Sequence, residues 1–143
     1  MSIYACTSCG HIEFESAPDS CPQCRAQTFE QNDNIFTESA EKSKEAAPKH
    51  IPSIKVSNEC GLFPEKECSD LMVRIGETPH PMEEKHHIRF IDCYEEKRYI
   101  GRVNLTPALH PAGCFHIKSQ ASHVTIVENC NIHGYWMAEQ KLG

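Results

Sequence analysis

With 143 residues, the chain has room for one medium domain, or for a small metal-stapled module joined to a domain of about 100 residues. A formal charge of −6 with no basic cluster excludes a nucleic-acid partner, since phosphate contacts need a Lys/Arg surplus on some face. Nine Cys, nine His and a start that runs from Met1 into a CxxC pair leave no expectation of a signal peptide or membrane span; the cytoplasm is the expected compartment, with thiolates serving metals rather than disulfides.

The first element is a pair of knuckles, Cys6-Thr7-Ser8-Cys9-Gly10 and Cys21-Pro22-Gln23-Cys24. Each two-residue gap lets both sulfurs face one ion, so Cys6, Cys9, Cys21 and Cys24 predict a tetrahedral tetrathiolate site. A segment of about 35 residues cannot close a stable core from Tyr4, Phe14 and Phe29, so the ion is expected to supply its folding free energy. The knuckles resemble the rubredoxin-like module of rubrerythrins. Zinc ribbons share the spacing, and the site accepts iron or zinc.

Residues 37–47 carry both charges and no large apolar side chain, so they read as a linker that buries little, with at most a short exposed helix before Pro48. The chain therefore divides into a metal module, 1–36, the linker, 37–47, and a larger domain, 48–143. In that domain, runs of period-two alternation at 72–75, 88–94, 114–118 and 124–127 are separated by Gly, Pro and Asn and predict strands. The expected fold is mainly β: an immunoglobulin-like antiparallel sandwich preceded by a small rubredoxin-like knuckle. Cys93 and Cys114 fall within predicted strands and read as small buried side chains. Cys60 and Cys68 match no common ligand spacing.

Four further motifs follow in order: Lys49-His50-Ile51-Pro52; Gly76-Glu77-Thr78-Pro79-His80-Pro81-Met82; His86-His87-Ile88; and Cys130-Asn131-Ile132-His133-Gly134-Tyr135-Trp136. Together with Tyr99-Ile100-Gly101-Arg102 and Asn104-Leu105-Thr106-Pro107, they resemble the superoxide reductase family, the iron domain of desulfoferrodoxins and neelaredoxins, over roughly residues 48–138. The resemblance implies a mononuclear iron centre with His50, His80, His86 and His133 as equatorial imidazoles and Cys130 as axial thiolate. His87 matches the non-ligand neighbour of His86. Lys49 matches the lysine that stands beside the open coordination position.

Such a donor set leaves iron(II) one position open opposite sulfur, where superoxide would bind. Formally, +2 from iron and −1 from the thiolate give about +1, attractive to an anion although the chain is negative overall. The implied activity is one-electron reduction of superoxide to hydrogen peroxide. Its partners are superoxide and an external electron donor such as rubredoxin or a reductase, and the implied assembly is a homo-oligomer, with a dimer favoured. The alternative with the same site is a non-catalytic iron electron carrier or redox sensor; a third reading makes the N-terminal module a zinc-ribbon interaction domain that docks the catalytic domain to a partner.

Backbone amides of the 131–133 turn are expected to donate to the Cys130 sulfur and damp its basicity. Glutamate precedes the lysine in the family, whereas Pro48 stands here. The carboxylate that would close the sixth position is therefore missing, and water, hydroxide or nothing is expected there; Glu45 is the nearest linker carboxylate. His11, His110, His116 and His123 have no motif around them and read as surface or hydrogen-bonded histidines.

Overall fold

The computed structural model describes residues 1–43, 46–59, 61–63, 68–118 and 121–142. All sheets are antiparallel. In the N-terminal module, β1 (Ile3–Cys6), β2 (Ile12–Phe14) and β3 (Phe29–Gln31) form a sheet in the order β2-β1-β3. The first knuckle closes through Gly10 N–H donating to Cys6 O at 3.0 Å, with Gly10 at φ +79°. The second closes through Arg25 N–H donating to Cys21 O at 2.9 Å, where Arg25 takes the same left-handed conformation without being glycine.

The larger domain pairs β4 (Pro52–Ser57), β5 (Ser69–Ile75) and β8 (Ala112–Ile117) in one sheet. The facing sheet runs β10 (Gly134–Lys141), β9 (His123–Cys130), β6 (Ile88–Glu95), β7 (Arg98–Asn104). Leu71, Val73 and Ile75 from β5 meet Ile91, Cys93, Val124, Ile126 and Cys130 to form the sandwich core. The expected mainly β sandwich with a preceding knuckle is what the chain forms. Strands β4, β7 and β10, which alternation alone did not single out, complete the sheets.

The central strands of the four-stranded sheet, β6 and β9, are buried on both faces, because the other face carries the module. Ile3, Ile12 and Phe14 of the module pack with Tyr94 and Val127, and Phe36, Tyr99, Tyr135 and Met137 line the same cluster. This explains why β6 and β9 are buried along nearly their whole length, on both faces. The module thus borrows half its core from the larger domain, and metal binding is not its sole source of folding free energy.

The segment read as a solvated linker contains α1 (Ile35–Lys42), which docks on β10. Ser39 is the contact: its hydroxyl donates to Ile35 O at 3.1 Å and accepts from Tyr135 N–H at 3.0 Å. A small residue suffices there because Gly134, at φ +80°, offers no Cβ; one would lie 2.6 Å from Ser39 Oγ. Pro48 does not end this helix. It sits in the first turn of a second, α2 (Ala47–His50), where its missing N–H costs nothing.

Two of the expected side-chain environments change. Cys114 is exposed, on the solvent face of β8 opposite Met72, since the alternation of that strand turns Phe115 and Ile117 inward instead. Cys68 is disulfide-bonded, so thiolates do not all serve metals. Cys60 lies outside the described residues, as does Glu45. Cys93 is buried as expected. Among the described residues, no helix is long and apolar enough to cross a membrane.

Candidate metal centres

Antiparallel pairing gathers five distant residues at one end of the sandwich. His50 ends α2 just before β4; His80 and His86 come from the connection between β5 and β6; Cys130 ends β9, and His133 lies in the turn to β10. The register locks these ends together: Pro52 opposes Ile75, Ile88 opposes Cys130, and Gly134 opposes Cys130 from the other side. A strap holds α2 against the loop that follows β5. Pro48 O accepts from Glu77 N–H at 2.7 Å, and Ile51 O from Gly76 N–H at 3.2 Å. At Gly76, φ is +86° and a Cβ would lie 2.4 Å from Thr78 O and 2.6 Å from Lys49 O, so only glycine allows this approach.

One donor atom from each of His50, His80, His86, Cys130 and His133 lies within 4.8 Å of all the others. His50 Nδ1–H donates to Ala46 O at 2.8 Å and His80 Nδ1–H to Pro81 O at 2.6 Å. Each therefore turns an Nε2 lone pair inward, and the two Nε2 atoms face each other at 3.0 Å. Two lone pairs at that separation repel unless a cation lies between them. His86 Nε2 is buried with no partner at all. Cys130 Sγ stands 3.5 Å from His80 Nε2 and 3.9 Å from His133 Nδ1. This donor chemistry fits a transition metal, and four imidazoles with one thiolate suit iron.

Burial pushes His50 and His80 down to about 4, and lowers His86 as well, with neighbouring histidines adding to the effect. All three imidazoles are consequently neutral ligands near neutral pH. Burial raises the Cys130 thiol, and backbone N–H groups of His133 and Ile132 oppose that rise. His133 N–H donates to Cys130 Sγ at 3.4 Å, the amide-to-sulfur bond expected from the turn. Asn131 pins the turn from outside, accepting from His87 N–H at 2.9 Å and donating to Lys85 O at 3.0 Å. His87 itself directs Nδ1 to Glu83 O at 3.1 Å and does not join the cluster.

Lys49 is exposed at the rim, and its charge contributes to lowering both His50 and His86. Among the described residues, the cluster includes no carboxylate. Sequence reasoning overlooked two neighbours. Trp136 stacks on His50, 5.0 Å between ring centres, and its indole N–H donates to His133 O at 3.2 Å. Glu128 is fully buried two residues before Cys130 with neither oxygen partnered, and burial raises its pKa well above the ordinary range, which makes it a neutral acid under the thiolate. A lone Glu within the apolar run of β9 was the readable signal.

The second centre is the tetrathiolate. Cys6 and Cys24 sulfurs are 3.6 Å apart, Cys9 and Cys21 sulfurs 3.7 Å apart, and all four lie within 4.8 Å of one another. A tetrahedron with metal–sulfur bonds of about 2.3 Å has edges of about 3.8 Å, so the pocket fits one iron or zinc ion. Burial pushes the Cys9 thiol up to about 12, whereas the Ala26 amide brings the exposed Cys24 down to about 7.

A buried polar clamp joins this module to the larger domain. Arg102 forms a bidentate pair with Asp92 at 2.5 and 2.9 Å, donates to Cys9 O at 3.2 Å, and lies 3.6 Å over the Phe90 ring. His11, read from sequence as hydrogen-bonded or superficial, is wholly buried between Asp92, at 3.3 Å, and Glu13. Burial alone would lower the pKa of His11, but hydrogen bonds to Asp92 and Glu13 outweigh it and raise the pKa above its ordinary value. His116 pairs with Asp70 at 2.8 Å, His123 meets Ser122, and His110 is exposed.

The sequence pattern of the desulfoferrodoxin family matches residues 41–139, and that of the rubredoxin-like domain of rubrerythrin matches residues 4–30. A desulfoferrodoxin from Nitratidesulfovibrio vulgaris is 33% identical over 138 residues, spanning 96% of this chain and 94% of the relative. A superoxide reductase from Pyrococcus horikoshii is 32% identical over 106 residues, 66% of this chain and 87% of the relative. Among solved structures, the superoxide reductase (neelaredoxin) from Ignicoccus hospitalis superposes with a TM-score of 0.58 at 27% identity, covering 76% of this chain and 93% of the other.

Proposed function

This chain belongs to the desulfoferrodoxin family, and from that premise we propose that it is a superoxide reductase, adding one electron and two protons to superoxide to give hydrogen peroxide. The observation that carries the reading is the convergence of four imidazoles and a cysteine sulfur within 4.8 Å, with a lysine at the rim. Iron(II) held by His50, His80, His86, His133 and Cys130 would supply the electron. Everything else falls to the chain.

His50 and His80 present fixed Nε2 lone pairs because Ala46 and Pro81 hold their Nδ1 protons. Cys130 donates charge, moderated by the His133 amide. Trp136 closes one side of His50 and holds the His133 carbonyl, keeping bulk water from the thiolate side. Lys49 draws the anion to the rim. We take residues 1–36 as the tetrathiolate module, 37–47 as the connector and 48–143 as the reductase domain.

The test is rapid mixing of anaerobically reduced, iron-loaded protein with superoxide. The expected result is fast oxidation with one hydrogen peroxide per superoxide and no oxygen release. Slow oxidation would leave the chain an electron carrier or redox sensor, and oxygen release would make it a dismutase instead.

A further inference from the structure

Among the described residues, one hydrogen bond connects the ligand segment of one centre to that of the other. Tyr135 O–H donates to Gly10 O at 2.7 Å. Gly10 directly follows the thiolate Cys9, and Tyr135 stands two residues after His133 on β10, whose first residue pairs with Cys130. The approach is built in: at Gly10, with φ +79°, a Cβ would lie 2.8 Å from the Tyr135 oxygen. Both ends of Tyr135 are held, since its amide donates to Ser39 Oγ at 3.0 Å. The Arg102 and Asp92 clamp fixes the same interface a few residues away, at Cys9 O.

We propose that Tyr135 is the bridge for electron transfer within one chain, from iron in the tetrathiolate site to iron in the histidine–cysteine site. The inference rests on the reading of both clusters as iron sites. Iron(II) at the four cysteines is oxidised to iron(III) as iron(III) at the second centre is reduced to iron(II); no bond forms or breaks, no proton moves, and the phenol keeps its electrons. Electronic coupling decays steeply across van der Waals gaps and less steeply along covalent and hydrogen bonds. A path from Cys9 through Gly10, the phenol ring and the β10 backbone to His133 contains only one such non-covalent step. Cys24, exposed on the module, gives an external donor a point of entry.

The experiment uses the full chain loaded with iron and fully oxidised. A radiolytic pulse delivers one electron, and visible absorption follows bleaching and recovery of the tetrathiolate. Wild-type protein shows recovery at a rate independent of protein concentration. Tyr135→Phe slows that phase severalfold while both reduction potentials stay in place. Tyr99→Phe, which loses another phenol bond across the same interface, to Gln23 Oε1 at 2.5 Å, keeps the wild-type rate.

The proposal is overturned if Tyr135→Phe transfers as fast as wild type, or if both variants slow alike. Slowing accounted for by a shifted potential, a rate that scales with protein concentration, or zinc in place of iron at the cysteines also overturns it. No superoxide enters the measurement, so the result stands apart from the reductase test.

Discussion

The two centres are assembled in opposite ways. The tetrathiolate comes from two short knuckles of one local segment, with one sulfur exposed and the partner domain needed for its core. The histidine–cysteine site draws on residues from 50 to 133, and exists only because strand register brings three chain segments to one end of the sandwich. A local site is fixed by spacing and stabilised by docking; a distributed site is fixed by the fold and stabilised by its core. Perturbing the dock should therefore damage the first centre, and perturbing a ligand the second, each leaving the other in place.

The largest effect is expected at the dock. Arg102→Gln leaves Asp92 buried with its main cation gone, which costs about 3–5 kcal/mol for a broken buried ion pair. Global stability measured by denaturant titration should fall by that amount. Native-state hydrogen exchange should rise first at amides of β1 and β2, ahead of those in β5 and β9. If β5 opens together with the module, the two regions are one cooperative unit and the contrast fails.

Next comes ligand removal. Cys130→Ser replaces the axial thiolate and should slow the superoxide reaction of reduced protein at least about 100-fold, beyond the effect of removing groups behind a ligand. The tetrathiolate spectrum should remain. Cys9→Ser should do the reverse, abolishing that spectrum while reduced protein still reacts with superoxide at close to the wild-type rate. Stopped-flow mixing of both variants, with metal content determined beside it, checks the pair.

The same contrast governs what could be read without a structure. Cys6, Cys9, Cys21 and Cys24 are legible because tetrathiolate geometry is written in two-residue gaps. The five residues of the other site are separated by up to 83 positions between His50 and His133, and no spacing rule relates them; the ordered family motifs did. Alternation exposed β5, β6, β8 and β9, but β10 is half-buried along much of its length and β7 mostly so, which blurs the period. The docking of the module was hidden for a physical reason: His11, Asp92 and Arg102 are polar residues that a hydropathy reading sends to the surface. Only their mutual pairing permits burial. Ser39 and Gly134 were silent for a related reason, because close packing of small residues leaves no apolar signature.

The smallest effect is expected at the rim of the distributed site, where a charge acts without being a ligand. Lys49 is exposed, so its field is screened and its contribution belongs to encounter rather than to bond making. Lys49→Ala should lower the second-order rate with superoxide by roughly tenfold at low ionic strength, the lower end of electrostatic steering. The difference from wild type should shrink as salt approaches about 0.5 M, because the screening length then falls below about 5 Å. Lys49→Arg should restore the rate at low salt. The tetrathiolate, held in its own segment, should keep its spectrum and potential in both variants. If Lys49→Ala instead lowered the rate equally at every salt concentration, the lysine would be acting in proton delivery at the iron. The rim would then belong to the chemistry of the buried centre rather than to the approach of its substrate.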